Sequence, residues 1–118
     1  MEVIQQKDLM RGLAVIRTKR HRDQRGFFEE TYNKARFCKL GFSEEFVQDN
    51  HVYSSRAGIL RGLHFQKPPF AQAKLIRCIR GTIYDYALDI RQGSDTFGQG
   101  YGIELSADNG MMFYVPVG

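Results

Sequence analysis

The stretch Gly58-Ile59-Leu60-Arg61-Gly62-Leu63-His64-Phe65-Gln66, followed by Gln72-Ala73-Lys74 and closed by Gly81, decides the reading of this chain. It sets one histidine and one lysine on neighbouring strand-like segments, framed by glycines that permit tight turns. Successive side chains of a strand point to opposite faces. Over Ile59 to Gln66, Leu60, Gly62, His64 and Gln66 therefore share one face, and Arg61, Leu63 and Phe65 share the other. From Ala73 onward, Lys74 shares its face with Ile76 and Cys78, which makes it an isolated charge on an apolar side. Lysines are rarely buried without a partner, so this placement predicts a cavity that takes an anionic ligand. An imidazole that titrates near neutral pH beside a fixed cation suits proton abstraction next to a carbonyl. The alternative is a strand histidine that is simply a satisfied structural residue.

The same strand-and-turn grammar extends in both directions. Leu13 to Thr18 reads as a first strand, Asp23-Gln24-Arg25-Gly26 as a turn, and Phe27 to Tyr32 as the next strand. Asn33 is placed to cap a short helix through Ala35, Phe37 and Leu40, with Gly41 in the terminating position. Phe46 to Tyr53, Ile59 to Gln66, Ala73 to Arg80 and Thr82 to Asp89 read as successive strands, with Arg80-Gly81 as a tight hairpin. Lys67-Pro68-Pro69 interrupts pairing, because proline cannot donate to a ladder. Ile103 to Leu105 and Met111 to Val115 follow, separated by the turn Ala107-Asp108-Asn109-Gly110. Short strands with turn signals at roughly eight-to-twelve-residue spacing predict an all-β domain, a barrel or double-sheet jelly roll. An immunoglobulin-type sandwich is the competitor, but its tryptophan core cannot exist in a chain with no Trp.

The 118 residues give room for a single domain with a real core, and a composition 42% hydrophobic and 25% charged is that of an ordinary globular protein. No apolar run approaches a membrane span, and Met1-Glu-Val-Ile-Gln-Gln6 lacks the pattern of a signal peptide. Cys38 and Cys78 form no metal or redox spacing and fit reduced thiols in a cytoplasmic protein. The formal charge of +4 favours an anionic partner. Lys19-Arg20-His21-Arg22 is the densest basic cluster; without a nucleic-acid motif beside it, it reads as a solvated loop.

A metal-binding barrel of the cupin type would place His-x-His after a glycine, and a Glu seven residues before a closing glycine. Here Gln66 stands at the second histidine and Lys74 at the glutamate. A cation at a ligand position argues for an anionic substrate or intermediate rather than a metal. A second polar set surrounds this pair. Arg25 and Glu30 flank Phe27-Phe28, and Gln48 and Asn50 lie two apart on one strand face. Arg25 offers a fork suited to diphosphate, and Phe28 or Tyr32 could stack on a base, although alternating Phe in a β protein is usually core. Asp85 and Asp89 each read either as a buried acceptor that orients a histidine or as a loop-capping residue, with structure favoured for Asp89.

Taken in order, Arg25-Gly-Phe-Phe-Glu-Glu30, Gln48-Asp-Asn50, Gly58 to Gln66, Gln72-Ala-Lys74, Arg80-Gly81, Asp85, Asp89-Ile-Arg-Gln-Gly-Ser94 and Thr96-Phe-Gly98 closely resemble the dTDP-4-dehydrorhamnose 3,5-epimerase family. The resemblance implies an all-β, cupin-like double-sheet jelly roll with one short helix, working as a homodimer that exchanges strands. It implies a dTDP-4-keto-6-deoxy sugar as substrate, no cofactor or metal, and no nucleic-acid or membrane partner. It casts His64 as catalytic base and Lys74 as the cation that stabilises charge on the 4-keto oxygen. Arg61 matches an arginine lining the substrate site, and Arg25, Phe28, Glu30, Gln48 and Asn50 match positions that contact nucleotide or sugar.

Protons at C3 and C5 lie next to the C4 carbonyl and become acidic only if the developing enolate is stabilised. Lys74 would supply that stabilisation, and His64 would take the proton. In the family the acid that returns a proton on the opposite face is a tyrosine, in a region expected beyond Gly118. Residues 1–118 are therefore expected to form one domain that lacks the family's C-terminal portion, with the second half-reaction lost or slowed. The alternative from another class is a non-catalytic sugar-nucleotide-binding module.

Overall fold

The computed structural model describes residues 1–6, 10 and 12–118. Its centre is an antiparallel sheet in the order β1-β2-β8-β5, formed by β1 (Glu2–Gln6), β2 (Ala14–Arg17), β8 (Met111–Val115) and β5 (Lys74–Arg77). Two further antiparallel pairs join it, β3 (Arg20–Asp23) with β4 (Gly26–Glu29), and β6 (Thr82–Leu88) with β7 (Gly100–Ser106). A single short helix, α1 (Lys34–Lys39), follows β4. This is the expected all-β jelly roll. Among the described residues no helix is long and apolar enough to cross a membrane.

The central sheet is buried on both faces. On one, Val15 and Phe113 pack with Leu13, Ala87 and Leu105, so the β6–β7 pair covers that side. On the other, Ala14, Ile16, Met112 and Tyr114 pack under Phe37 and Phe42, so α1 and the segment after it cover that side. A strand covered on both faces reads as continuously apolar, which is why Ala14-Val15-Ile16 shows no polar alternation.

The helix forms where its capping signals stand. The Asn33 side chain accepts the Arg36 N–H at 3.1 Å. Phe37 is buried, and Gly41 takes a φ of +92° that a residue with a Cβ rarely adopts.

Four expectations are changed. Ala14–Arg17 is the second strand, because Glu2–Gln6 adds an edge strand paired with it. The basic cluster is not a loop: Arg20–Asp23 is β3, and Arg20 is tied to Glu29 (3.0 Å) and to the carbonyls of Ala107 (2.6 Å) and Asp108 (3.0 Å). Arg80-Gly81 does not close a hairpin. β5 pairs with β8, and β6 pairs with β7, because Ala87 and Leu105 bury their face by covering the sheet rather than extending it. The Gly81 carbonyl instead accepts the Ala107 N–H at 3.0 Å, joining the β5–β6 link to the turn after β7. Finally, Phe46 to Tyr53 and Ile59 to Gln66 form no ladder in this chain, and every residue from 47 to 70 is exposed.

Candidate active site

β5 and β6 place the charged residues of the site by simple alternation. Lys74 pairs with Val115 and Ile76 with Phe113, so both stand on the face that the β6–β7 pair covers. Leu75, opposite Tyr114, turns to the helix side. On β6, Ile83, Asp85 and Ala87 point back toward the sheet, opposite Leu105, Ile103 and Tyr101 of β7. Lys74 and Asp85 thus enter the same gap between the layers.

His64 stands on the exposed arm. The Asp85 carboxyl is half-buried, and that burial pushes its pKa up, against the Tyr86 backbone N–H and, more weakly, the charges of Lys74 and His64. The backbone at Gly62 has a φ of +92°, and a Cβ built there would lie 2.8 Å from His64 Nδ1. Only glycine satisfies both the left-handed backbone and the close approach of the ring.

The remaining sequence candidates are not gathered around Lys74. Arg25 sits in the β3–β4 turn, bonded to Asp23 at 2.6 Å and exposed. Phe28 stands out from β4 with 73% of its surface exposed, while Phe27 lies under the Arg20 guanidinium at 4.3 Å. Glu30 is held by α1: Asn33 Nδ2 donates to it at 3.3 Å, and Arg36 lies 3.2 Å from its other, buried oxygen without hydrogen-bond geometry. Gln48 donates to Asn50 at 3.0 Å, on the exposed arm. Arg61 braces the arm's own loop through Ser54 Oγ (3.2 Å) and the Tyr53 carbonyl (3.3 Å).

Asp89 is structural. Its buried carboxylate accepts from the Arg91 guanidinium and backbone N–H (3.0 Å) and from the Ser94 and Thr96 hydroxyls (2.6 Å). Tyr114 lies on the helix side of the sheet, against Phe42, and burial together with the Glu44 carboxylate drives its pKa far up. It faces away from Lys74.

The family model described as dTDP-4-dehydrorhamnose 3,5-epimerase matches residues 7–118. The chain belongs to the dTDP-4-dehydrorhamnose 3,5-epimerase family. Curated members of this epimerase family from Shigella flexneri and Methanothermobacter thermautotrophicus are 50% and 46% identical to it, over 81% and 95% of the chain and 53% and 60% of their own length. The crystal structure of the Bacillus anthracis epimerase, with TDP and PPi bound, superposes with a TM-score of 0.94 at 46% identity, covering 99% of this chain and 66% of that one. The Legionella pneumophila epimerase, in complex with dTDP-4-keto-L-rhamnose, gives 0.86 at 42% identity, covering 98% and 60%. The chain therefore spans between about half and two thirds of the length of these epimerases.

Sequence alternation alone locates Lys74 on its face of β5; the strand that would have placed His64 is not formed. Asp85 carries a weaker signal, a lone carboxylate on the inward face of β6. The signal that Arg20 is a cross-link rather than a solvated charge is absent locally, since its partner carbonyls lie at 107 and 108.

Proposed function

We propose that this chain carries the proton-abstracting half of an epimerase site that acts on a dTDP-4-keto-6-deoxy sugar. The placement of the Lys74 ammonium on the covered face of β5, in a member of this epimerase family, carries the reading. His64 takes the proton from carbon next to the C4 ketone, the C–H electron pair moves toward the carbonyl oxygen, and the Lys74 ammonium neutralises the charge that develops there. Partial exclusion of water strengthens that interaction. Lys74 and Gln66, at positions where a metal barrel needs ligands, make the chemistry metal-independent. Arg25, Phe28, Glu30, Gln48, Asn50 and Arg61 bind nucleotide and sugar.

These binding residues are scattered between the β3–β4 pair and the arm, and a homodimer with exchanged strands would bring them together. Val47 (91% exposed), Leu60 (90%) and Phe28 supply apolar surface for such pairing. The two unpaired thiols, Cys38 and Cys78, suit the cytoplasm.

Protonation from the opposite face needs an acid, and Tyr114 is unsuited to it by burial and by position. The chain is expected to exchange the C3 or C5 proton with solvent through His64. Incubation with the 4-keto sugar nucleotide in deuterated water, followed by mass spectrometry, tests this. Deuterium uptake that disappears in His64→Ala is the expected result. Nucleotide-sugar binding with no uptake would instead make the chain a binding module.

A further inference from the structure

We propose that Arg20 is a positioning residue for nucleotide-sugar binding: its guanidinium anchors the β3–β4 hairpin to the turn between β7 and β8 and so fixes where the hairpin presents Arg25 and Phe28. The inference rests on the reading of Arg25 and Phe28 as residues that contact nucleotide or sugar.

The hairpin needs an anchor from outside itself. β3 and β4 pair only with each other, residues 21–28 are all exposed, and a lone two-stranded hairpin is marginally stable in water. An open cavity of about 230 Å³ has Phe27 and Glu29 on its hairpin side and Arg77 and Met111 on its sheet side, so apolar packing does not seat the hairpin on the body. Arg20 supplies what packing does not. Its side chain is only 12% exposed. Its Nε donates across the ladder to Glu29 at 3.0 Å, and its two terminal nitrogens donate to the carbonyls of Asp108 (3.0 Å) and Ala107 (2.6 Å). The Phe27 ring packs on the guanidinium face at 4.3 Å. The receiving turn is itself fixed, because the Ala107 N–H donates to Gly81 at 3.0 Å and Asn109 Oδ1 accepts the Met111 N–H at 3.0 Å. The Thr18 hydroxyl adds a second tie, donating to Glu29 at 2.7 Å. Among the described residues, the hydrogen bonds between the hairpin and the rest of the chain all run through Arg20 and Glu29.

Strand register carries this anchoring to the tip. Arg20 stands opposite Glu29, His21 opposite Phe28, and Arg22 opposite Phe27. Arg20 and Phe27 thus share one face, and Phe28 points from the other. At the tip, the Asp23 carboxylate accepts the Arg25 backbone N–H at 2.8 Å and its guanidinium at 2.6 Å, which sets the direction of the Arg25 fork relative to the strands. That tip lies about 10 Å along the strand from Arg20, so a small hinge at the anchor moves Arg25 further than it moves the base. A planar guanidinium meets Glu29 and two carbonyls at once, which a lysine ammonium cannot reproduce. Binding groups held in place before the ligand arrives cost less to order when it does.

The test uses the 118-residue protein with dTDP as the probe. Amide hydrogen exchange over residues 20–29 is expected to speed about tenfold or more in Arg20→Ala, with β2 and β8 unchanged. Arg20→Lys should recover part of that protection, and it covers the case in which Arg20→Ala fails to fold. Calorimetric affinity for dTDP is expected to fall about tenfold in Arg20→Ala, and little in Lys19→Ala, which removes the same charge from an exposed neighbour. A double-mutant cycle separates positioning from general loss of structure: Arg20→Ala should cost much less affinity when Arg25→Ala is already in place. Equal costs in the two backgrounds, or hairpin exchange or dTDP affinity unmoved in Arg20→Ala, overturn the proposal. A wild type that binds no dTDP, while hairpin exchange still speeds in Arg20→Ala, overturns the binding reading of Arg25 and Phe28 and supports Arg20 as the hairpin's anchor.

Discussion

The packed body and the exposed arm of this chain are ordered for different reasons. In the body, a four-stranded sheet is covered on one side by β6–β7 and on the other by α1 and Phe42. Its residues explain one another. The arm from 47 to 70 has sequence fit for strands, yet it forms no ladder and buries none of its residues within the chain. His64, Arg61, Gln48 and Asn50 all sit on it. Most of the candidate site residues are thus concentrated in the region that this chain stabilises least, whereas Lys74 is built into the region it stabilises most. Substitutions in the two regions should therefore separate stability from activity.

The largest separation is expected between Phe113→Ala and Leu60→Ala. Phe113 is fully buried at the centre of the sheet, and its removal should cost about 3–5 kcal/mol in urea unfolding. Leu60→Ala should change unfolding of the isolated chain by no more than about 0.5 kcal/mol, and should weaken self-association measured by sedimentation. Equal destabilisation by both would erase the distinction between the regions.

A second test uses acid. Asp89 is held well below the usual carboxylate range, first by the Arg91 guanidinium and then by the Ser94 and Thr96 hydroxyls. A depressed folded-state pKa contributes stability that is fully present above the unfolded value of about 3.9 and is lost as pH falls below it. Unfolding midpoints measured from pH 6 down to 2 should therefore fall steeply below about pH 4 in the wild type, and more gently in Asp89→Asn. Identical slopes would show that the loop from 89 to 98 does not depend on that carboxylate.

Gly62→Ala probes the arm. The added methyl meets the His64 ring at a backbone φ that disfavours any Cβ, so deuterium exchange should drop roughly tenfold. The thermal midpoint should move little, because the arm contributes little to the core. A large loss of stability with normal exchange would reverse the assignment. The smallest effect belongs to Asn33→Ala, which removes the helix cap and should cost about 1 kcal/mol with no change in exchange.

The parts of this molecule legible in its sequence are those set by neighbours along the chain. Asn33 and Gly41 mark the ends of α1 by local backbone chemistry. Alternation in β5 sets Lys74 apart from Leu75, and the Asp23 to Gly26 turn closes β3–β4. What escapes a linear reading depends on distant partners. That β5 pairs with β8 rather than with β6 follows from which layer buries Ala87 and Leu105, a property of the assembled core. Arg20 looks solvated until the turn after β7 brings its carbonyls to it. The face of Lys74 was legible from its neighbours along the chain, whereas His64 stands on an arm that forms no strand. Arg25, Phe28 and Glu30 show only local partners or open surface.

The register of β5 on β8 has one further consequence. Because side chains alternate, a slip of a single residue would turn Lys74 to the helix side and present Ala73 or Leu75 to the gap. Misregistered molecules would press an ammonium against the aromatic cluster under α1, so the pairing that shapes the sheet also sorts out chains that carry this charge on the wrong side.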